Sequence, residues 1–240
     1  MFHPRVVPHL RALFQIPIVA AALVAADPAF RRLPGRKAIR AASTAGLLYG
    51  LSLLAERELR GKDVPGANDN ASGCGVAAQL IAECVAQPLE HTRVDLLLSG
   101  CEESGVLGAQ AYVRRRRAQQ SPLTMINFDS VGGNAPVRYI LREGMAMTRP
   151  ATPKLVTLVE TIAARRPELG LIPAADTGAL TTDATVALAH GCEAITFLAR
   201  ERTIPNYHWP SDTYENLSPP TIGRTLEAGR ALLAELDARV

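Results

Sequence analysis

The sequence predicts an α/β fold, a mainly parallel sheet with helices on both faces, preceded by an apolar and basic helical hairpin. Three observations predict it. The 240 residues are 48% hydrophobic and 20% charged with a mean hydropathy of +0.07, which describes a globular chain with a sizeable core and excludes disorder and collagen-like or repeat composition. From Gly61 onward, short apolar runs bounded by turn residues alternate with segments of helical spacing, the pattern of strands joined by crossover helices. Residues 1–62, in contrast, carry ten basic and three acidic groups, so the basic excess of a chain of net charge +3 belongs to its first quarter. The division that follows is 1–60, a hydrophobic helical hairpin or insertion, and 61–240, the body.

In the first quarter two apolar stretches, 13–26 (LFQIPIVAAALVAA) and 41–55 (AASTAGLLYGLSLLA), flank a basic run with proline and glycine. At about 1.5 Å per residue each stretch reaches about 20 Å against the roughly 30 Å hydrocarbon core of a bilayer, so a full span would recruit flanking polar residues. Pro17 either kinks the first helix or marks a late start. Three readings stay open: a signal peptide, with Arg5 and Arg11 ahead of the stretch; a membrane-embedded or interfacial hairpin; and a hairpin packed on its own domain. Aromatics at 5% and basic residues interleaved with aliphatics argue against a nucleic-acid surface. Cys74, Cys84, Cys101 and Cys192 form no CxxC pair and suit reduced thiols. A cytoplasmic or membrane-associated chain is favoured, with secretion as the alternative that the signal-peptide reading carries.

In the body, 92–99 (TRVDLLLS), 123–129 (LTMINFD), 137–142 and 193–199 (EAITFLA) read as strands, and 71–86, 105–119, 153–166 and 220–238 as helices. The arginine run 114–117 ends a helix and suits a solvated C-terminus that offsets the helix dipole. Ligands in such folds sit beyond the carboxyl ends of strands, so polar residues there matter most.

Four polar clusters lie at such places. PGANDNASG (65–73) is a tight turn opening a helix, with Asp69 inside it and Asn70 or Ser72 available as N-cap. Gly100-Cys101-Glu102-Glu103-Ser104-Gly105 follows a predicted strand, and two adjacent carboxylates there repel unless a cation or a proton intervenes. Asp129 closes the strand TMINFD. His208 lies in Asn206-Tyr207-His208-Trp209-Pro210-Ser211-Asp212, where Asp212 can act as an acceptor that orients the imidazole. Mixed carboxylate and imidazole donors suit zinc, and hydrolytic sites keep a position open for water.

These motifs in this order resemble peptidase family M28, the zinc aminopeptidases, over residues 61–233. The resemblance implies a three-layer α/β/α sandwich around a mixed sheet and two zinc ions bridged by a carboxylate and a water. It implies that Asp69 is the bridging ligand, Glu102 the general base, Glu103 and His208 ligands of one zinc, and Asp129 a ligand of the other. Tyr207 matches a position that helps stabilise the oxyanion, and Asp183 matches a recurrent acidic position ahead of a helix. One departure stands out: the family's His-x-Asp motif, which supplies a further zinc ligand, occurs nowhere in this sequence, and the only histidines before Asp69 are His3 and His9. Residues 2–62 resemble the hydrophobic insertion that some members carry after that motif. The expectation is a chain that starts after the first strands, lacks one ligand and holds one zinc rather than two. The implied substrate is a peptide or small amino-acyl compound, hydrolysed at its amino terminus. Two alternatives remain, a glutaminyl-cyclase-like acyltransferase using one zinc on Asp69, Glu103 and His208, and an inactive domain that docks to membrane or partner through the hairpin.

Overall fold

The computed structural model describes residues 7–30, 34–61, 63–144, 147–175 and 181–239; His3, Arg5, Arg31 and Arg32 lie outside them. The chain divides into two compact units, Met1–Asp63 and Val64–Val240.

The first unit is a helical hairpin of α1 (Val7–Ala25) and α2 (Arg36–Arg60), joined through a short 3₁₀ turn at Asp27–Phe30. The α1 helix continues through Pro17. Small residues let the helices touch: a Cβ added to Gly46 would lie 2.8 Å from Ala20 Cβ, and one on Gly50 would lie 2.9 Å from the Pro17 ring. Ala20 and Ser43 are buried at the same seam. The Arg36 guanidinium closes the turn by donating to both Asp27 oxygens, at 3.0 and 2.6 Å. Away from the seam, Leu48, Leu51 and Leu54 are 60–63% exposed. Arg36–Glu56 is long and apolar enough to cross a membrane, with mean hydropathy 1.3. The helix reaches that length by running past the apolar stretch at both ends.

The second unit runs α3 (Gly73–Ala86), α4 (Leu107–Ala118), β1 (Thr124–Asp129), β2 (Val137–Ile140), β3 (Arg142–Glu143), β4 (Arg149–Pro150), α5 (Pro153–Arg165), β5 (Ile172–Ala174), α6 (Asp183–Ala189), β6 (Glu193–Ala199) and α7 (Pro219–Asp237). The main sheet has the order β1-β6-β2-β5. Its β1/β6 and β2/β5 pairs are parallel and its β2/β6 pair is antiparallel, so the sheet is mixed. Strand alternation sorts the side chains into two layers. Phe128, Ile195 and Phe197 pack with Leu80 of α3, Leu158 of α5 and Leu232 of α7. Met125 and Ala194, from the other face, pack with Val113 of α4 and Ala187 of α6. The result is an α/β/α sandwich, with the Phe128 and Phe197 rings stacked at 5.7 Å in its centre.

Several expectations are corrected. Residues 92–99 form no strand: among the described residues no backbone-to-backbone hydrogen bond joins them to a neighbour, and strand composition without a partner strand makes no ladder. The expected strand 137–142 breaks into β2 and β3. The helix expected from residue 71 starts at Gly73, after a wide turn over Ala67–Ser72, and the one expected from 105 starts at Leu107 because Val106 is left-handed (φ 52°). The short β5 carries too few residues to show a period of its own.

Glu143 is fully buried, and its carboxylate accepts from Thr185 Oγ1 at 3.0 Å, Thr196 Oγ1 at 3.0 Å and Thr182 Oγ1. Thr182 caps α6, so the buried carboxylate anchors the start of that helix. Burial raises the Glu143 pKa above its ordinary value of 4.5, against the opposing effect of the three hydroxyls. A carboxyl raised on folding holds its proton more tightly in the folded state, so its contribution is greatest below the unfolded value and falls as pH rises through the folded one. Glu143→Gln is expected to flatten this part of the stability–pH profile in urea denaturation. Glu143→Ala, which removes the acceptor that three hydroxyls share, is expected to cost roughly 2–4 kcal/mol. An unchanged profile in the Gln variant would contradict the assignment.

Candidate metal centre

The turn that carries Asp69 is built by its two asparagines and by Asp212. Asn70 donates from Nδ2 to Phe128 O at 2.9 Å, and its Oδ1 accepts from Gly73 N and Ser130 N, each at 3.1 Å. Asn70 therefore caps α3, as one of the two expected candidates, while also gripping the end of β1. Buried Asn68 accepts from Gly132 N at 2.8 Å and donates to Pro205 O at 3.3 Å, which adds the loop before His208 to the assembly. Gly73 is required by contact, since a Cβ there would run into Phe128 O and Asn70 Oδ1. Asp212, 1% exposed, accepts from Asn68 N at 2.7 Å and Asp69 N at 3.0 Å. It was expected to orient the imidazole; instead it orients the backbone of the Asp69 turn.

On this frame three of the expected ligands meet. His208 Nε2 lies 3.1 Å from Asp69 Oδ2 and 2.7 Å from Glu103 Oε1. One ligand atom from each of Asp69, Glu103 and His208 falls within 4.8 Å of the other two, the single such group among the described residues. Asp129 is not in that group. Its half-buried carboxyl accepts from Ser130 Oγ at 2.9 Å and is pushed up to about 7 by loss of solvent and by the charge of Asp69. Glu102 is raised to about 7, first by burial and then by the charges of Asp129, Glu103, Asp183 and Asp69. The Asp183 carboxyl, raised by burial, accepts from Ser99 Oγ. His208 is raised to about 9 by its hydrogen bonds to Asp69 and Glu103. The Tyr207 ring stacks on the His208 ring at 3.8 Å, and burial followed by the nearby carboxylates raises its phenol, which stays protonated.

Several carboxyl groups stand close together here, and the charges of their neighbours add to burial in raising Glu102 and Asp129. A divalent cation would relieve this, and two carboxylates with one imidazole are a donor set that zinc accepts. The residues present fit such an ion. Backbone strain gathers here too: Cys101 (φ 57°) precedes Glu102, Ser130 (φ 50°) follows Asp129, and His208 itself is left-handed (φ 58°). The frame residues Asn68 and Glu143 escaped sequence reasoning; the Asn-Asp-Asn triplet was the available signal for the first, and nothing local marked the second.

The sequence model of peptidase family M28 matches residues 53–233. No sequence among the curated proteins matches the chain. Among solved structures, a zinc aminopeptidase from Bacillus subtilis is 21% identical with TM-score 0.59, over 72% of this chain and 43% of that one. The LapA aminopeptidase of Legionella pneumophila is 17% identical with TM-score 0.63, over 74% and 48%. A glutaminyl cyclase from an Acidobacteriales bacterium is 14% identical with TM-score 0.56, over 76% and 66%. The chain thus spans less than half the length of the two aminopeptidases, and at these identities the likeness is one of fold.

Because Asp212 holds two amide protons of the Asp69 turn, Asp212→Ala should lower unfolding free energy by about 2–4 kcal/mol, and Asp212→Asn, which keeps one acceptor oxygen, by about half that. Urea denaturation of the three proteins checks it, and equal stability would show that the turn stands without Asp212.

Proposed function

Because the chain belongs to peptidase family M28, we propose that it is a zinc-dependent exopeptidase acting on the amino-terminal bond of a peptide or small amino-acyl substrate. The observation that carries this reading is the convergence of Asp69, Glu103 and His208 beside a base-competent Glu102. Asp69, Glu103 and His208 would hold the zinc, and Asp129 stands ready beside Asp69. When bound, zinc supplies Lewis acidity toward a carbonyl oxygen and lowers the pKa of a water. Glu102 accepts the proton of the attacking water on a carboxylate oxygen as the new C–O bond forms, and returns it to the leaving amine nitrogen as the C–N bond breaks. Its pKa of about 7 suits both transfers near neutrality. Tyr207, kept protonated, donates its phenol hydrogen toward the carbonyl oxygen as charge develops there. Asp183 holds Ser99 at the root of the glutamate loop and adds to the negative field on Glu102.

The test is metal content and rate on the full chain. After dialysis about one zinc per chain is expected, lost in Glu103→Gln and His208→Ala and retained in Glu102→Gln. Hydrolysis of an amino-acyl p-nitroanilide should fall at least about a hundredfold in Glu102→Gln. Loss of metal in Glu102→Gln with retention in Glu103→Gln would exchange the two roles.

A second reading is favoured by the same convergence, since three ligands around one point form a mono-metal set. On it, the substrate's own α-amine attacks its side-chain amide carbon and ammonia leaves, as in a glutaminyl cyclase. Ammonia release from an amino-terminal glutaminyl peptide, without peptide-bond cleavage, separates this reading from the first.

For the hairpin we propose association with an anionic membrane surface. Its support is the exposed leucines of α2 together with Arg36, Lys37 and Arg40 at one end of that helix. Full-length chain should co-sediment with vesicles of phosphatidylcholine and phosphatidylserine more than with phosphatidylcholine alone. Leu48→Glu with Leu51→Glu should abolish the binding, and equal binding by that variant would refute the hairpin's role.

A further inference from the structure

Charge in the second unit is divided between the two ends of its parallel strands. Asp129 closes β1, and the loop that leads into α4 carries Glu102 and Glu103, so the edge where β1 and β6 end is acidic. The edge where they begin carries arginine. From that acidic loop α4 runs back for 12 residues, about 18 Å at 1.5 Å per residue, and delivers Arg114–Arg117 to the point where Pro122 and Leu123 lead into β1. Two contacts fix this placement: Arg116 donates to Pro122 O at 3.5 Å, and Arg117 donates to His190 O, shortly before β6. Thr152 accepts from Ala194 N at 2.9 Å at the same edge, which brings Arg149 and Lys154, on either side of it in the chain, close by.

The arginine run exceeds what its helix needs. A cation in the last turn helps a helix end, yet the last carbonyls are already taken by the chain itself. Arg115 O and Arg116 O accept from Gln119 N, each at 3.2 Å, and Arg117 O accepts from Gln120 N at 2.9 Å. Ion pairing does not account for the run either. Elsewhere on the helices arginines lie against carboxylates, Arg165 on Glu235 and Arg230 on Glu83. Beside α4, Asp95 lies 3.6 Å from Arg116 but is already held by Arg93 at 2.9 Å, and Glu193 accepts from Thr124 Oγ1 at 2.9 Å. Exposed Arg114 is left with Gln110 at 3.4 Å, and exposed Arg115 has no side-chain partner among the described residues. Residues 63–240 carry sixteen basic and twenty acidic groups, so this edge is positive against the trend of the unit that bears it.

We propose that the edge centred on Arg114 and Arg115 is a docking surface for an anionic lipid bilayer. Guanidinium groups pair through two parallel hydrogen bonds with phosphate and carboxylate, the groups that a phosphatidylserine surface displays. A bilayer is favoured over a nucleic acid by what adjoins the run. Base stacking needs exposed aromatic rings, and Tyr112, the ring of α4, is partly buried against the helical layer. Residues 61–65, in turn, tether this unit to a hairpin with exposed leucines. The inference therefore rests on the membrane reading of the hairpin. A surface kept near a bilayer by its own chain needs only a weak attraction, because the tether raises its local concentration there. The consequence for the metal centre is orientation: with the arginine edge on lipid, the acidic edge faces away from it, toward dissolved substrate.

Co-sedimentation of the full chain with phosphatidylcholine vesicles, with and without phosphatidylserine, tests this. Arg114→Gln with Arg115→Gln is expected to lower the partition onto phosphatidylserine vesicles about tenfold or more, to weaken its salt dependence, and to leave binding to phosphatidylcholine alone unchanged. Arg202→Gln with Arg224→Gln, an equal loss of charge just past the end of β6 and in the first turns of α7, should change neither. The proposal is overturned if the Arg114 and Arg115 variant binds as the unaltered chain does, or if the Arg202 and Arg224 variant loses as much, which would reduce the effect to net charge. It is also overturned if the first variant keeps its vesicle binding and instead loses binding to a single-stranded RNA oligonucleotide. Leu48→Glu with Leu51→Glu, run alongside, reads the hairpin separately. Binding lost there and kept in the arginine variant would uphold the hairpin and remove the docking surface, and the reverse would uphold the docking surface and remove the hairpin.

Discussion

The hydrogen bonds that Asn68, Asn70 and Asp212 make across the chain hold the Asp69 turn, the end of the Asp129 strand and the His208 loop to one another. Asn70 spans from the helix start at Gly73 to both sides of Asp129, and Asn68 spans from Gly132 to Pro205. Asp212, three residues beyond Trp209 in the His208 loop, receives the amides on which Asp69 hangs. A turn, a strand end and a loop that are distant in sequence are thereby fixed to one another by buried polar groups, each of which would be costly to leave unmade. The position of His208 relative to Asp69 follows from that network before any attraction between the two.

Held this way, the carboxylates cannot move apart to lower their repulsion. Burial, with the neighbouring charges added, makes Glu102 and Asp129 hold their protons near neutrality, and hydrogen bonds to Asp69 and Glu103 make His208 hold its own. Repulsion fixed by a rigid frame is a state of preorganisation for positive charge, and the left-handed residues at Cys101, Ser130 and His208 show that the backbone bears part of its cost. Glu143 belongs to the same design from the other side of the sheet: a buried carboxylate anchoring the first turn of α6 fixes Asp183, which in turn fixes Ser99.

The two faces of the sheet are covered by helices, while its β1 edge opens on a slot. The hairpin unit is governed by a different rule. Its helices meet through glycine, alanine and proline, and the leucines are turned outward, the reverse of a hairpin stabilised in water by burying its large side chains.

Much of the body was legible in the sequence because it rests on local chemistry. Periodicity located β1, β6, α5 and α7, and polar clusters in turns and loops pointed to Asp69, Glu103 and His208, which the fold brings together, and to Asp129, which lies outside that group. The resemblance that those motifs carry also anticipated the family, the three-layer sandwich and a three-ligand set. What the sequence could not determine depended on partners far away in the chain. TRVDLLLS has the composition of a strand, yet a strand is a relation between two backbones, and among the described residues 92–99 pairs with none. Asp212 sits four residues from His208, close enough to suggest that it orients the ring, but the fold directs it to the amides of Asn68 and Asp69. Glu143 carries no local mark at all, since its three threonine partners lie 39 to 53 residues away. Spacing along a chain fixes which face of a strand or helix a side chain takes; only the closed tertiary structure decides which buried donor its oxygen must satisfy.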